Sequence, residues 1–382
     1  METLHLLQQY WWAVVSLLGA LLVFLMFVLV FLMFVQGGQM LLFGTAKDEK
    51  EKQFIISTLG HKWEITYTTL VTFGGAAFAS FPLFYSTSFG GAYWLWLLIL
   101  FLFVLQAVSY EFRDKQGNIF GKKSYDMFLF LNGLLGTLLI GVAVGTLYTG
   151  GAYYMDKGNI TNVMAPVVSS WANNWKGIEC ISNPVNLLLG AVVLMAARTM
   201  GLYYTICNAP ASFASFIQRG KKQFTVSAVA FVVLFVAFTA VLMLMKGYEV
   251  NPVSGEIFEV EFKYFKNFID LVWPLVMLLA GVVLVLYGLG YGIIKGKFSM
   301  PKFYITGGGI TLAVWAILIC AAFNNTAYFH STADLQDSLT LYNSSSSEFT
   351  LKAMAIASLM VPFVVAYIAY CWKKLGNSVK KY

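Results

Sequence analysis

The sequence predicts an all-α integral membrane protein with nine transmembrane helices. Three observations carry this prediction: a scarcity of charge, nine apolar runs of bilayer length, and basic residues gathered on one side of those runs. Of the 382 residues, 59% are hydrophobic and 11% charged, whereas a soluble domain carries about 25% charged residues. Mean hydropathy is +0.72.

A span needs roughly 20 apolar residues to cross the hydrocarbon core. Each is expected to be helical, because lipid offers no partner to an open backbone group. In chain order the spans fall at about 11–35, 65–87, 92–112, 125–149, 184–206, 225–246, 270–294, 303–324 and 352–373, within a single membrane domain over 1–382. The first run follows a stretch, Met1 to Tyr10, with no Lys or Arg. It is too long for the core of a signal peptide, so it is expected to be retained. The second and third spans are joined by a short turn, Thr87 to Ala92, which makes them antiparallel neighbours. Gly74-Gly75-Ala76-Ala77 in the second span let backbones approach closely, as do Gly133, Gly136, Gly141 and Gly145 in the fourth and Gly281, Gly288, Gly290 and Gly292 in the seventh. Packing within the chain is the first use of such residues, packing against a partner subunit the second. The fifth span contains Arg198, expected to snorkel or to meet an acid of a partner helix. The seventh opens on Asp270, expected to be its N-cap. The loops 150–183, 247–269 and 325–351 are polar, contain Gly, Asn and Ser, and read as caps.

The basic residues set the orientation. With the N-terminus outside, the inner segments hold Lys47, Lys50, Lys52, Lys62, Arg113, Lys115, Lys122, Lys123, Arg219, Lys221, Lys222, Lys295, Lys297, Lys302, Lys373, Lys374, Lys380 and Lys381. The outer segments hold Lys157, Lys176, Lys246, Lys263 and Lys266. Such a bias requires an odd number of spans and a cytoplasmic C-terminus. The net charge of +7 therefore reflects loops that orient spans, and no nucleic-acid partner is implied. Trp and Tyr at span edges, such as Trp11, Trp12, Tyr93, Trp94, Trp273 and Trp372, suit the headgroup zone.

Two carboxylates are placed at the inner ends of consecutive spans: Glu64 after His61-Lys62-Trp63, and Glu111 before Phe112-Arg113. An acid at membrane depth is costly and usually has a task. The residues alone leave two uses open, a proton relay through water or an interfacial ion pair with Lys62, Arg113 or Lys115. Gln106, one turn above Glu111, reads first as a structural hydrogen-bonding residue. Gln36-Gly37-Gly38-Gln39 reads first as the stop of the first helix. The histidines are His5, His61 and His330, none at a span centre, where a haem iron would need an axial ligand. Cys180, Cys207, Cys320 and Cys371 form no CxxC or finger-like pattern. No haem, metal or other cofactor is therefore expected on this chain. GxxxxGK, GxGxxG and HExxH motifs are absent from the sequence.

At these same residues the chain resembles subunit II of the bacterial cytochrome bd-type quinol oxidases. That family opens its first span on a Trp-Trp pair and carries an inner-edge His-Trp-acid motif; here these are Trp11-Trp12 and His61, Trp63 and Glu64, with Lys62 inserted. The segment Thr72 to Pro82 is similar to the family's Gly-Gly-Ala-x-Phe-Ala run before a proline, and Tyr85, Ser86, Phe89 and Gly91 follow as in its turn. Tyr110-Glu111-Phe112-Arg113 with Lys115 resembles its aromatic-acid-aromatic-Arg-x-Lys ending, and Thr350-Leu351 through Pro362 to Tyr370-Cys371-Trp372 its last span. The likeness is specific over 11–124 and 335–375 and loose between them.

The resemblance implies two four-helix bundles plus one peripheral helix in a bacterial cytoplasmic membrane. It implies a haem-free subunit that stabilises a haem-bearing subunit I, which carries haems b and d and oxidises quinol while reducing dioxygen. Further implied companions are a small single-span subunit, membrane lipid and quinone. Glu64 and Glu111 take the positions of the family's proton-feeding acids, with His61, Trp63, Gln106, Arg113 and Lys115 around them. This chain departs from the pattern in three places. Glu stands where Asp is common, the Asp-rich turn after the first span is Gln36-Gly37-Gly38-Gln39, and an Arg before the span-three acid is Gln106. A proton-coupled secondary transporter is the alternative, but such proteins show paired interrupted spans, and no matched pair is visible.

Overall fold

The structure, a computed structural model, describes residues 11–12, 31–60, 62–360, 362–364 and 366–370. Most of the first predicted span, and residues 371–373 of the last, lie outside them. Among the described residues, seven helices are long and apolar enough to cross a membrane: Tyr93–Phe112, Lys122–Thr149, Pro184–Asn208, Ala211–Leu244, Val272–Lys295, Met300–Ala322 and Glu348–Tyr370. The chain is thus a multi-pass membrane protein.

In chain order we label the helices α1 (Phe34–Gln39), α2 (Leu41–Gly44), α3 (Glu49–Gly60), α4 (Trp63–Ser80), α5 (Tyr93–Phe112), α6 (Lys122–Leu131), α7 (Thr137–Thr149), α8 (Pro184–Asn208), α9 (Ala214–Leu244), α10 (Lys263–Asp270), α11 (Val272–Lys295), α12 (Met300–Ala322) and α13 (Glu348–Ser358). A π-helical turn, Asn132–Gly136, joins α6 to α7 within one span. The second predicted span, 65–87, is shorter than expected. Phe81 leaves helical geometry before Pro82, and a π-helical segment, Tyr85–Gly91, makes the outer turn.

α8 lies at the centre, packed on α1, α7 and α9, and α11 packs along α12. It starts where Asn183 accepts a hydrogen bond from the Val185 backbone N–H and Pro184 takes the first helical position. Backbones meet where side chains are smallest. A Cβ on Gly141 would lie 2.6 Å from the Gly190 Cα, and one on Gly281 2.7 Å from the Gly309 carbonyl oxygen. Gly37 and Gly38 do not stop the first helix, as the sequence suggested. They lie inside α1, fully buried where it crosses Ala197 and Gly201 of α8.

α9 begins well before the expected residue 225. Its charged first turns stay helical because they have partners: Arg219 donates to Glu51 at 2.6 Å and Lys221 to the Gly296 carbonyl at 2.8 Å. Asp270 is not the N-cap of the seventh span. It ends α10 and accepts from Asn324 at 2.9 Å. Arg198 meets an amide, Gln223, at 3.2 Å.

The loops 150–183, 247–269 and 325–351 form a knitted cap. Hairpins β1 (Tyr153–Met155) with β2 (Ser169–Trp171) and β3 (Gly247–Val250) with β4 (Ile257–Val260) are antiparallel. Bridges from Gly151 to Ser331 and from Glu249 to Thr326 join them to the 325–351 segment. On the opposite side α3 packs Phe54, Ile55 and Leu59 inward.

Candidate functional site

The N-terminal end of α4 and the C-terminal end of α5 meet through two flat side chains. Trp63 and Tyr110 stack with centroids 6.1 Å apart and an interplanar angle of 7°. Each ring is followed by an acid, Glu64 or Glu111, so the stack brings the two acid-bearing helix turns together. Both are exposed on the surface of this chain. Glu111 is paired with Lys115 one turn on, and both side chains are more than half exposed. Glu64 has no ion-pair partner among the described residues. His61 lies outside the described residues.

Behind the stack lies a buried polar chain. Gln36, Gln39, Gln106 and Asn132 are each 0% exposed. Gln39 donates to the Tyr110 hydroxyl at 3.2 Å, Asn132 to Gln39 at 2.9 Å and also to Gln106, and Gln36 to Gln106 at 3.1 Å. The two uncharged departures from the resembled pattern, Gln36 and Gln106, therefore sit on one another. Gln106 has the structural hydrogen-bonding use expected of it, toward α1 and the π turn.

Arg113 does not meet Glu111. Its side chain is 1% exposed and binds Asp126 and Glu49, each at 2.6 Å, and Asp114 at 2.9 Å. Burial disfavours its charge, yet Asp126 and then Glu49 outweigh that and raise its pKa above the usual arginine value. Lys52 adds a second cation to Asp126 at 3.1 Å. This inner-face cluster ties α3, α5 and α6 together. Asp126 was missed from the sequence because it reads as one charge beside Lys122 and Lys123. The available signal was its place in the first turns of an otherwise apolar span. Asn132 was missed as a lone polar residue among small ones. Lys62 is 0% exposed. It donates to the Thr58 carbonyl at 3.0 Å and lies over the Tyr204 ring at 5.3 Å. Burial pushes its pKa down to about 8.

Among the described residues no group of three or more His, Cys, Asp or Glu is placed to hold a metal ion. His330 is walled in. Its ring is 4.2 Å from that of Tyr248, and a Cβ on Gly150 would lie 2.6 Å from its Nε2. The residue is 5% exposed, so its ring nitrogens face packed protein. Cys180, Cys207 and Cys320 are free thiols.

Comparison with known proteins gives concordant matches. The family described as cytochrome bd terminal oxidase subunit II matches residues 7–375. Cytochrome bd-I ubiquinol oxidase subunit 2 of Escherichia coli (strain K12) is 25% identical over 368 residues, covering 90% of this chain and 89% of its own. Cytochrome bd ubiquinol oxidase subunit 2 of Bacillus subtilis (strain 168) is 27% identical over 325 residues, covering 83% and 82%. A chain in the structure of bd oxidase from Geobacillus thermodenitrificans superposes with a TM-score of 0.58 over 98% of both chains at 11% identity, a likeness of fold.

Proposed function

The chain belongs to the cytochrome bd terminal oxidase subunit II family, and is thus a subunit of a membrane oxidoreductase; we propose that within it this chain is the haem-free partner that stabilises a haem-bearing subunit I and passes it cytoplasmic protons. In this reading haems b and d belong to subunit I, and the chain crosses a bacterial cytoplasmic membrane nine times, as two four-helix bundles with one peripheral helix. Its N-terminus is outside and its C-terminus cytoplasmic. Membrane lipid, quinone and a small single-span subunit complete its surroundings.

One observation supports the proton role: Trp63 and Tyr110 stack, and the acid that follows each ring, Glu64 or Glu111, is exposed rather than packed in the chain's own interior. Acids turned away from their own core can exchange protons with water on one side and with a neighbouring polypeptide on the other. The oxygen chemistry consumes those protons in the partner, so the task of this chain is to position carboxylates and keep their inner edge wet. Lys115 pairs with Glu111, whereas Glu64 has no ion-pair partner among the described residues, which makes Glu64 the freer carrier in this reading. A proton-coupled transporter is not favoured, because the family match runs over nearly the whole chain.

The test uses the assembled oxidase. Glu64→Ala is expected to slow oxygen consumption about 10-fold or more, the scale of a lost proton-transfer group, while the haem spectrum and subunit ratio stay unchanged. The deficit deepens toward alkaline pH, where protons are scarce. Glu111→Ala gives the same effect, weaker. Turnover equal to the parent from about pH 6 to 9 would remove the relay.

A further inference from the structure

At the end of the first predicted span and inside the third and fourth, three amides linked through Gln106 have polar atoms left over. Gln36 Oε1, Gln106 Nε2 and Asn132 Oδ1 are buried without a hydrogen-bond partner in the protein. Each side chain is 0% exposed. A buried amide atom left unpaired costs about 1–3 kcal/mol, so three on adjoining residues point to a guest. The three residues adjoin one another, since Gln36 and Asn132 both donate to Gln106 Oε1.

The chemistry of the leftover atoms identifies the guest. Two are carbonyl oxygens that need a donor, and one is an amide nitrogen that needs an acceptor. A bare cation would be repelled by the Gln106 N–H, and an anion by the two oxygens. Amide oxygen and nitrogen are interchangeable by a half-turn of the side chain, so the network can equally run in the reverse direction. With all four amides turned together, Gln106 Nε2 donates to Gln36 and Asn132, Gln39 Nε2 to Asn132, and the Tyr110 hydroxyl to Gln39. The leftovers are then Gln36 Nε2, Asn132 Nδ2 and Gln106 Oε1, two donors and one acceptor. In both arrangements the guest must donate and accept at once, and water does both with two hydrogens and two lone pairs.

We infer that Gln36, Gln106 and Asn132 form a binding site for water within the membrane-spanning part of this chain. The site is uncharged and internal to this subunit. Through Gln39 and Tyr110 it continues to the stack beside the two acids. The π turn at Asn132–Gly136 serves it by aiming Asn132 at both Gln39 and Gln106. The inference rests on the packing of this chain and does not depend on the proposed proton role.

The test is a cryo-electron microscopy map of the assembled oxidase at a resolution that shows ordered water elsewhere in the complex. A compact peak is expected within about 2.7–3.2 Å of one amide atom from each of Gln36, Gln106 and Asn132. The same map of Asn132→Leu should lose that peak while the subunits remain assembled. A peak persisting unchanged in Asn132→Leu overturns the inference. So does a site closed over by the three amides pairing among themselves, or density with the shape of an organic molecule. Should Asn132→Leu not assemble, the parent map alone decides.

Discussion

At the scale of single residues, the cluster that ties α3, α5 and α6 depends on a buried acid, Asp126. Asp126, with a 2% exposed side chain, takes the Arg113 Nε at 2.6 Å and Lys52 at 3.1 Å. Arg113 is itself 1% exposed, so removing its principal partner leaves a guanidinium that water cannot reach. Asp126→Asn is expected to cost about 3 kcal/mol, the low end for a broken buried pair, because Glu49 and Asp114 still hold part of the charge. Thermal unfolding of the purified complex measures it; a midpoint equal to the parent would show that Asp126 is dispensable. Lys115→Ala is the contrast. Its pair with Glu111 is largely exposed, and such pairs contribute about 0–1 kcal/mol. How much of the site was legible follows from the same residues. Glu64 and Glu111 could be found because each ends an apolar run, and a charge at that boundary stands out. Asp126 could not be assigned to Arg113, because the pairing comes from α6 folding back against α5 after an irregular loop. The meeting of Gln36 with Gln106, 70 residues apart, was invisible for the same reason: hydropathy gives the depth of a residue, and the face it presents is set by packing.

At the scale of helices, close crossings decide the architecture. Six of the seven long helices were readable within a few residues and the remaining one, α9, by its C-terminal end alone, since lipid permits little besides helix and apolar length is measured directly by the chain. What failed was punctuation. Charges in 218–223 looked like a loop and are the opening turns of α9, held by Glu51 and the Gly296 carbonyl. Glycines at 37 and 38 looked like a stop and are a crossing point. The glycine stripes separate the same way. Gly141 meets the Gly190 backbone, where no flexible side chain can yield, whereas a Cβ on Gly75 meets nothing within 4 Å. Gly141→Val should therefore push α7 from α8, abolishing accumulation of folded chain or lowering its unfolding midpoint by many degrees. Gly75→Ala should leave this chain's stability unchanged or improve it by up to about 1 kcal/mol, the helix-propensity difference. Size-exclusion profiles of the two variants in detergent distinguish them. Equal behaviour would mean that close backbone approach does not fix the α7–α8 crossing.

At the scale of the whole molecule, the two ends of the bundle respond to pH in separate windows. At one end His330 is 5% exposed in the cap that joins the 150–183, 247–269 and 325–351 segments, and burial pushes its pKa from 6.5 down to about 4. The folded protein thus refuses a proton that the unfolded chain accepts below 6.5. Stability from this group is complete above pH 6.5, falls as pH drops toward 4, and is lost below it, by on the order of 3 kcal/mol in all. At the other end burial lowers the Lys62 pKa from 10.5 to about 8. Below 8 both states carry the charge and the folded one bears the burial cost; between 8 and 10.5 the folded state releases its proton first, so stability rises with pH. These two groups leave a plateau between pH 6.5 and 8. Asp114 acts elsewhere: burial raises its pKa but Gln53, Lys122 and Arg113 hold it below the usual carboxylate value, so its contribution is lost only in stronger acid. Unfolding midpoints of the purified protein should fall from pH 6.5 toward 4 and climb above 8. His330→Gln should flatten the acid limb while retaining the alkaline rise, and Lys62→Met should lift the plateau and abolish the rise. The cap and the inner edge are built from different segments, so each substitution should leave the other limb in place; an acid limb that survives in His330→Gln would assign it to the carboxylates instead.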